Sequence, residues 1–220
     1  MTNSNKISLV IFDLDGTLVD SQQDLASAVN FTRNHYGLKP LKVSEVASYL
    51  GSGINALVKS VLPSVSENEM PNATAMFKDF YSKHLADTTK EYNGVKKMLA
   101  DLKGFKKAVL SNKSENFSKD IIENLGLKEY FDEIYGGDSF DEKKPSPKPI
   151  REIMNFLSVK KENTVMVGDG VNDVLAGKTA GVRTIAVLYG YSSKEKIENL
   201  QPDFIAAAPQ DVVNILNGVK

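Results

Sequence analysis

The hydrophobic period of this chain changes along its length. The run ISLVIF over residues 7–12 reads as a short buried strand and ends at Asp13. From residue 22 to about 88 the period is helical, with Leu25, Val29, Thr32 and Tyr36 on one face. Phe77, Phe80, Tyr81, His84 and Leu85 mark a second amphipathic helix there, and no strand is predicted between them. After YNGVKKML the rhythm changes again. Short apolar runs (AVL before Ser111, EIY before Gly136, TVMV before Gly168, TIAVL from Thr184) alternate with helical faces. Those faces carry Phe117, Ile121, Ile122 and Leu125 in one case and Ile150, Ile153, Met154 and Leu157 in another, and Gly126 and Gly181 read as helix stops.

This βαβ alternation predicts an α/β fold, a Rossmann-like parallel-sheet core with an all-helical cap inserted after the first strand. The core takes residues 1–18 and 89–220 and the cap residues 19–88, with the two crossings as hinges. Ligands of open α/β sheets bind beyond the carboxyl ends of the strands. Asp13 and Asp15, Ser111 and Asn112, and Gly168 and Asp169 each follow an apolar run, so all are expected at one rim.

Composition narrows the chemistry. The 220 residues are enough for a sizeable core, and no stretch repeats or is of low complexity. With 27 basic and 28 acidic residues and no basic block, the chain lacks a nucleic-acid footprint, and a small molecule is the expected partner. The absence of cysteine excludes disulfides, thiolate metal sites and cysteine nucleophiles. The run ISLVIF is too short for a membrane span or a secretion signal. A soluble cytoplasmic protein is expected, with no membrane partner, as a monomer or small homo-oligomer.

The sharpest local feature is VIFDLDGT. In an extended chain, residues two apart share a side, so Asp13 and Asp15 would crowd like charges at a strand end. Crowding of that kind is relieved by a divalent cation. Gly16 permits a tight backbone path behind the pair. In DEKKPSPKP, Lys144 precedes Pro-x-Pro and is held on stiffened backbone, whereas Lys143 and Lys148 read as solvated. In VMVGDGVND, Asp169 falls where the chain leaves a strand and Asp173 about one helical turn later. Gly51 and Gly53, in YLGSGINALVKSVL, would let a loop approach a ligand, and the helix start after them favours an anion. His35 and His84 lie on helical patterns and receive no role.

DLDGT after one strand, SNK after another, KPSP at a helix start and GDGVND after a third resemble, in order, the four motifs of the haloacid dehalogenase superfamily. LVDSQQDLASAVN is similar to the segment leading into the cap of the phosphoglycolate phosphatases in that superfamily. The resemblance implies a Mg²⁺-dependent phosphomonoester hydrolase that converts 2-phosphoglycolate to glycolate and phosphate through an aspartyl-phosphate. It assigns Asp13 as nucleophile and metal ligand. Asp15 would lend its backbone carbonyl to the metal and its side chain as general acid and base, with Thr17 orienting it. Asp169 completes the metal ligands. Ser111, the Asn112 amide and Lys144 would bind phosphate, and Lys144 would also offset charge during transfer. Asp173 would hold Lys144 or a metal-bound water, or simply complement the helix start. Ser52, Gly53, Ile54 and Lys59 are candidates for the substrate's far end, and Lys113 faces either the cap and substrate or solvent.

Two positions depart from that branch: Ser111 stands where threonine is common, and Gly170 where serine or threonine is common. Alternatives within the superfamily are a pyrophosphatase, a sugar-phosphate phosphatase or a β-phosphoglucomutase-like enzyme. A dehalogenase has no use for an acid/base at Asp15. A non-catalytic phosphate-binding protein is the alternative of another class. Loss of Asp13, Asp15, Lys144 or Asp169 would mark it, and all four are present.

Overall fold

The computed structural model describes residues 6–218. Strand β1 (Leu9–Phe12) lies inside a six-stranded, all-parallel sheet with β4 (Lys106–Leu110), β5 (Glu133–Tyr135), β6 (Thr164–Gly168), β7 (Arg183–Val187) and β8 (Phe204–Ala206). The order across the sheet is β5-β4-β1-β6-β7-β8. Five of these strands coincide with the apolar runs, and β8 is a sixth, at the edge. A further ribbon pairs β2 (Val19–Asp20) antiparallel to β3 (Lys90–Glu91), Val19 opposite Glu91 and Asp20 opposite Lys90.

Alternation along β1 sends side chains to two separate cores. Leu9 and Ile11 pack with Ile150, Ile153 and Met154 of α7 (Lys148–Phe156) and Ala176 and Ala180 of α8 (Val171–Ala180). Val10 and Phe12 join Met98 and Leu99 of α5 (Val95–Asp101) and Val212 and Leu216 of α10 (Pro209–Gly218). Both faces are covered, which is why β1 is apolar at every position. Helix α6 (Glu115–Asn124) follows β4, and α9 (Lys194–Asn199) precedes β8.

The inserted cap holds α1 (Gln22–His35), α2 (Val43–Ala47), α3 (Ile54–Val61) and α4 (Met70–His84). Leu25 and Val29 of α1 and Phe77 of α4 are buried, and Tyr81 of α4 is buried against the core, edge-on to Phe117 of α6. His84 stacks on Phe80 and bonds Asp87, whereas His35 lies edge-on to Tyr36, so both histidines serve local packing. Near the ribbon, buried Asp24 ties the outgoing chain to the returning one. It accepts from the Thr88 and Thr89 hydroxyls at 2.6 and 2.7 Å and from both backbone N–H groups at 2.8–3.1 Å. Burial alone would raise the Asp24 pKa, but these donors hold it below the usual carboxylate range. Among the described residues, no helix is long and apolar enough to cross a membrane.

Candidate active site

In the sheet register Phe12 sits opposite both Val109 and Val167, so Asp13, Ser111 and Asp169 leave three neighbouring strands at one rim. Extended backbone stops before Asp15. The N–H groups of Thr17, Leu18 and Val19 all donate to the Leu14 carbonyl in a tight turn. Gly16 is left-handed in that turn (φ +83°), and a Cβ there would lie 2.4 Å from Asp169 Oδ2, so both conformation and space require glycine. Around this turn Asp13 and Asp15 take different partners, so the expected pairing of the two at a strand end is not what the structure shows. Asp13 Oδ1 accepts from Lys144 Nζ at 2.8 Å and from the Leu14 N–H at 2.7 Å. Asp15 Oδ1 accepts from Ser21 Oγ at 2.5 Å and lies 3.1 Å from Lys113 Nζ.

The carboxylates that crowd Asp13 are those of Asp169 and Asp173. Asp13, Asp169 and Asp173 each present an oxygen within 4.8 Å of the others. Burial pushes the Asp169 carboxyl up to about 7, with Asp173 adding to the rise. Burial, then Asp173, raise Asp13 to about 8 against the opposing pull of Lys144. Such a cluster of hard oxygens fits a Mg²⁺-type cation, which reverses the electrostatic penalty. The Asp15 side chain is not part of this cluster.

Lys144 is buried between Asp13 and Asp173, 2.7 Å from Asp173 Oδ1. Burial alone would lower its pKa, but the two carboxylates more than offset that and keep it charged. The second Asp173 oxygen accepts from the Gly170 N–H at 2.9 Å, so Asp173 both holds Lys144 and caps α8. Asp169 Oδ2 accepts from the Tyr191 N–H at 2.7 Å.

These groups form one wall of a cavity of about 660 Å³, whose other wall is the cap loop and the start of α3. The loop is pinned by its backbone. The Gly51 carbonyl accepts from the side-chain amides of Asn112 and Asn172, both at 2.8 Å, and the Ser52 carbonyl from Lys143 Nζ at 2.7 Å. Gly53 (φ +86°) comes so close that a Cβ would lie 2.8 Å from the Asn112 carbonyl oxygen. Ser52, Gly53 and Ile54 line the cavity, as do Ser111 and Asn112.

Two expectations need correction. Lys59 does not line the cavity; it is exposed and pairs with Glu67 at 2.8 Å, because its position on α3 faces away from the site. The Thr17 hydroxyl is buried with no hydrogen-bond partner among the described residues, and the contacts on Asp15 come from Ser21 and Lys113 instead. Lys143 is exposed yet tethers the cap loop, whereas Lys148 pairs with Asp141 near solvent. Lys113, left open between cap and solvent, is buried beneath the cap, 2.6 Å from the Tyr81 hydroxyl.

Sequence reasoning missed Ser21, Tyr81, Asn172, Tyr191 and Lys196. Ser21 and Asn172 are adjacent to or inside quoted motifs, which was a usable signal. Tyr191 and Lys196 line the cavity from beyond β7, where no motif marks them.

An open parallel sheet with clustered aspartates and a buried lysine at its carboxyl rim, roofed by a helical insertion, defines an enzyme of α/β architecture with an aspartate-based site. A family model described as haloacid dehalogenase-like hydrolase matches residues 10–187. The chain belongs to that family. A phosphoglycolate phosphatase of Aquifex aeolicus is 39% identical over 95% of this chain and 96% of its own length. One of Chromobacterium violaceum is 40% identical over 86% and 89%. The crystal structure of a predicted phosphoglycolate phosphatase from Haemophilus somnus superposes with a TM-score of 0.91 at 29% identity, covering 95% of this chain and 97% of that one.

Proposed function

We propose that this hydrolase is a Mg²⁺-dependent phosphomonoesterase acting in the cytoplasm on a small phosphorylated acid, 2-phosphoglycolate, to give glycolate and phosphate. The observation that carries the reading is Lys144, buried between Asp13 and Asp173 inside a cluster of carboxylates at the sheet rim. The relatives' shared activity supplies the substrate. Residues 19–88 act as the cap over a core of 1–18 and 89–220, a division supported by the β2–β3 ribbon that joins the two crossings.

In this reading a carboxylate oxygen of Asp13 attacks phosphorus, and Asp15 gives its proton to the departing alcohol oxygen. Water, deprotonated by Asp15, then attacks the phosphorus of the aspartyl-phosphate and frees Asp13 and phosphate. Both hydrogen bonds described for Asp13 fall on Oδ1, which leaves Oδ2 to react. Lys144 stays within reach of Asp13 and meets the transferring group with a fixed positive charge, while the Ser111 hydroxyl and the Asn112 N–H donate to phosphate oxygens. Asp13, the Asp15 carbonyl and Asp169 would hold Mg²⁺, whose chemistry is to neutralise phosphoryl charge. Asp173 keeps Lys144 in place. The start of α3, with Ser52, Gly53 and Ile54 on the cavity, suits the carboxylate at the substrate's other end.

The test is phosphate release with Mg²⁺ from 2-phosphoglycolate, pyrophosphate, β-glucose 1-phosphate and an aryl phosphate. A clear preference in kcat/KM for 2-phosphoglycolate is expected. Weak, indiscriminate turnover would remove the substrate, and a preference for pyrophosphate or the sugar phosphate would replace it.

A further inference from the structure

Tyr81 lies on α4 of the cap, fully buried, with its ring stacked near Phe77 (5.7 Å) and edge-on to Phe117 of core helix α6 (5.4 Å). The Tyr81 hydroxyl accepts from Lys113 Nζ at 2.6 Å, and the same ammonium lies 4.7 Å from the ring centroid. That ammonium also stands 3.1 Å from Asp15 Oδ1, the oxygen that Ser21 Oγ reaches at 2.5 Å. Both partners converge on Oδ1, and among the described residues no hydrogen bond falls on Asp15 Oδ2.

From this geometry we infer that Tyr81 is a positioning residue: through Lys113 it fixes the Asp15 carboxyl group so that Oδ2, which carries the proton in the first step, faces the leaving oxygen, and it does so only while α4 is seated on the core. The inference rests on the phosphomonoesterase reading above and deepens it by tying proton transfer to the seating of the cap.

A lysine side chain has several freely rotating bonds, so its ammonium aims a neighbour only if something else anchors it. The Tyr81 hydroxyl and ring supply that anchor from the cap side. A carboxylate held at one oxygen by two donors is confined to one rotamer, and proton transfer is sensitive to small errors of aim. Burial pushes the Tyr81 hydroxyl up to about 12, so it remains protonated at neutral pH. Burial would lower the Lys113 pKa, but Asp15 and Tyr81 more than offset it, so the ammonium persists.

The experiment is kcat/KM for a series of phosphate monoesters whose leaving groups run from aryl to alkyl, measured with Mg²⁺ in wild type, Tyr81→Phe, Asp15→Asn and Asp13→Asn. General acid catalysis matters most when the leaving oxygen is strongly basic. Asp15→Asn should lose roughly 100-fold or more on alkyl esters and much less on aryl esters. Tyr81→Phe keeps the ring and should show the same tilt at smaller size, about 10-fold on alkyl esters and under about twofold on aryl ones. Lys113→Met should tilt the series at least as far, and it serves as the second variant if Tyr81→Phe fails to fold by circular dichroism. An equal fall across the series would reveal a merely structural role and overturn the proposal. So would a Tyr81→Phe series matching wild type while Asp13→Asn is inactive. Wild type no faster than Asp13→Asn on any ester would instead overturn the phosphomonoesterase reading itself.

Discussion

Replacing Lys144 by Met keeps the apolar stem and removes the ammonium from between Asp13 and Asp173. At 2.8 and 2.7 Å, each contact carries a gross attraction of about 6 kcal/mol at an effective dielectric constant near 20. Most of that is offset by the cost of burying the charge, and breaking such a pair from one side typically costs about 3–5 kcal/mol. For a chain of this size the loss corresponds to a fall in Tm of about 10 °C. The deficit is electrostatic, with the carboxylates of Asp13, Asp169 and Asp173 left within 4.8 Å of one another and one cation short. Saturating Mg²⁺ should therefore raise the Tm of Lys144→Met more than that of wild type, relative to each protein in a chelator. Turnover should not return with the stability, and is expected to stay about 100-fold or more below wild type. Thermal unfolding followed by circular dichroism, with and without Mg²⁺, reads the first effect, and phosphate release reads the second. An equal response of both proteins to Mg²⁺, or a variant within about threefold of wild-type kcat/KM, would show that Lys144 does not balance this charge or serve the reaction.

Two further outcomes follow from the cap contacts. Asp24→Asn turns an amide N–H₂ toward the Thr88 and Thr89 backbone N–H groups, which can only donate, and should lower stability by about 2–3 kcal/mol at neutral pH. Because the folded pKa of Asp24 lies below its ordinary 3.8, its contribution is present above that value and is lost as pH falls through the folded one. The gap between wild type and Asp24→Asn in denaturant titrations should close in strong acid, and a constant gap from neutral pH to below pH 3 would contradict the assignment. Asn172→Ala and Lys143→Met each remove one tether of the cap loop, at the Gly51 and Ser52 carbonyls respectively. Each should raise KM for 2-phosphoglycolate by about 3- to 10-fold with kcat nearly unchanged, and a fall in kcat at constant KM would show that the tethers serve chemistry instead.

The parallel sheet was legible because its inner strands are short, unbroken apolar runs buried on both faces. β8 escaped notice because it is an edge strand in which Ile205 is exposed and Phe204 half-buried, leaving little pattern to read. The β2–β3 ribbon spans two residues a side and has no periodicity at all. Asp13, Ser111, Lys144, Asp169 and Asp173 were legible because local sequence sets their places at strand ends and helix starts. Contacts between distant segments were not. Tyr81 meets Lys113 across 32 residues and Ser21 meets Tyr191 across 170, and neither partner carries a sign of the other. Lys59 failed for a related reason: a helical period separates faces but does not say which polar face looks onto the site, and Glu67 held the ammonium outside.

In the proposed reaction Asp13 takes the phosphoryl group. Acid quench of the wild-type enzyme during turnover of radiolabelled 2-phosphoglycolate with Mg²⁺, followed by peptide mapping, tests it most directly. A hydroxylamine-labile phosphoryl group is expected on the peptide that contains Asp13, forming and decaying fast enough to support turnover and absent from Asp13→Asn, which should be inactive although folded. Steady turnover by Asp13→Asn, or wild-type turnover with the label found on another residue, would contradict it.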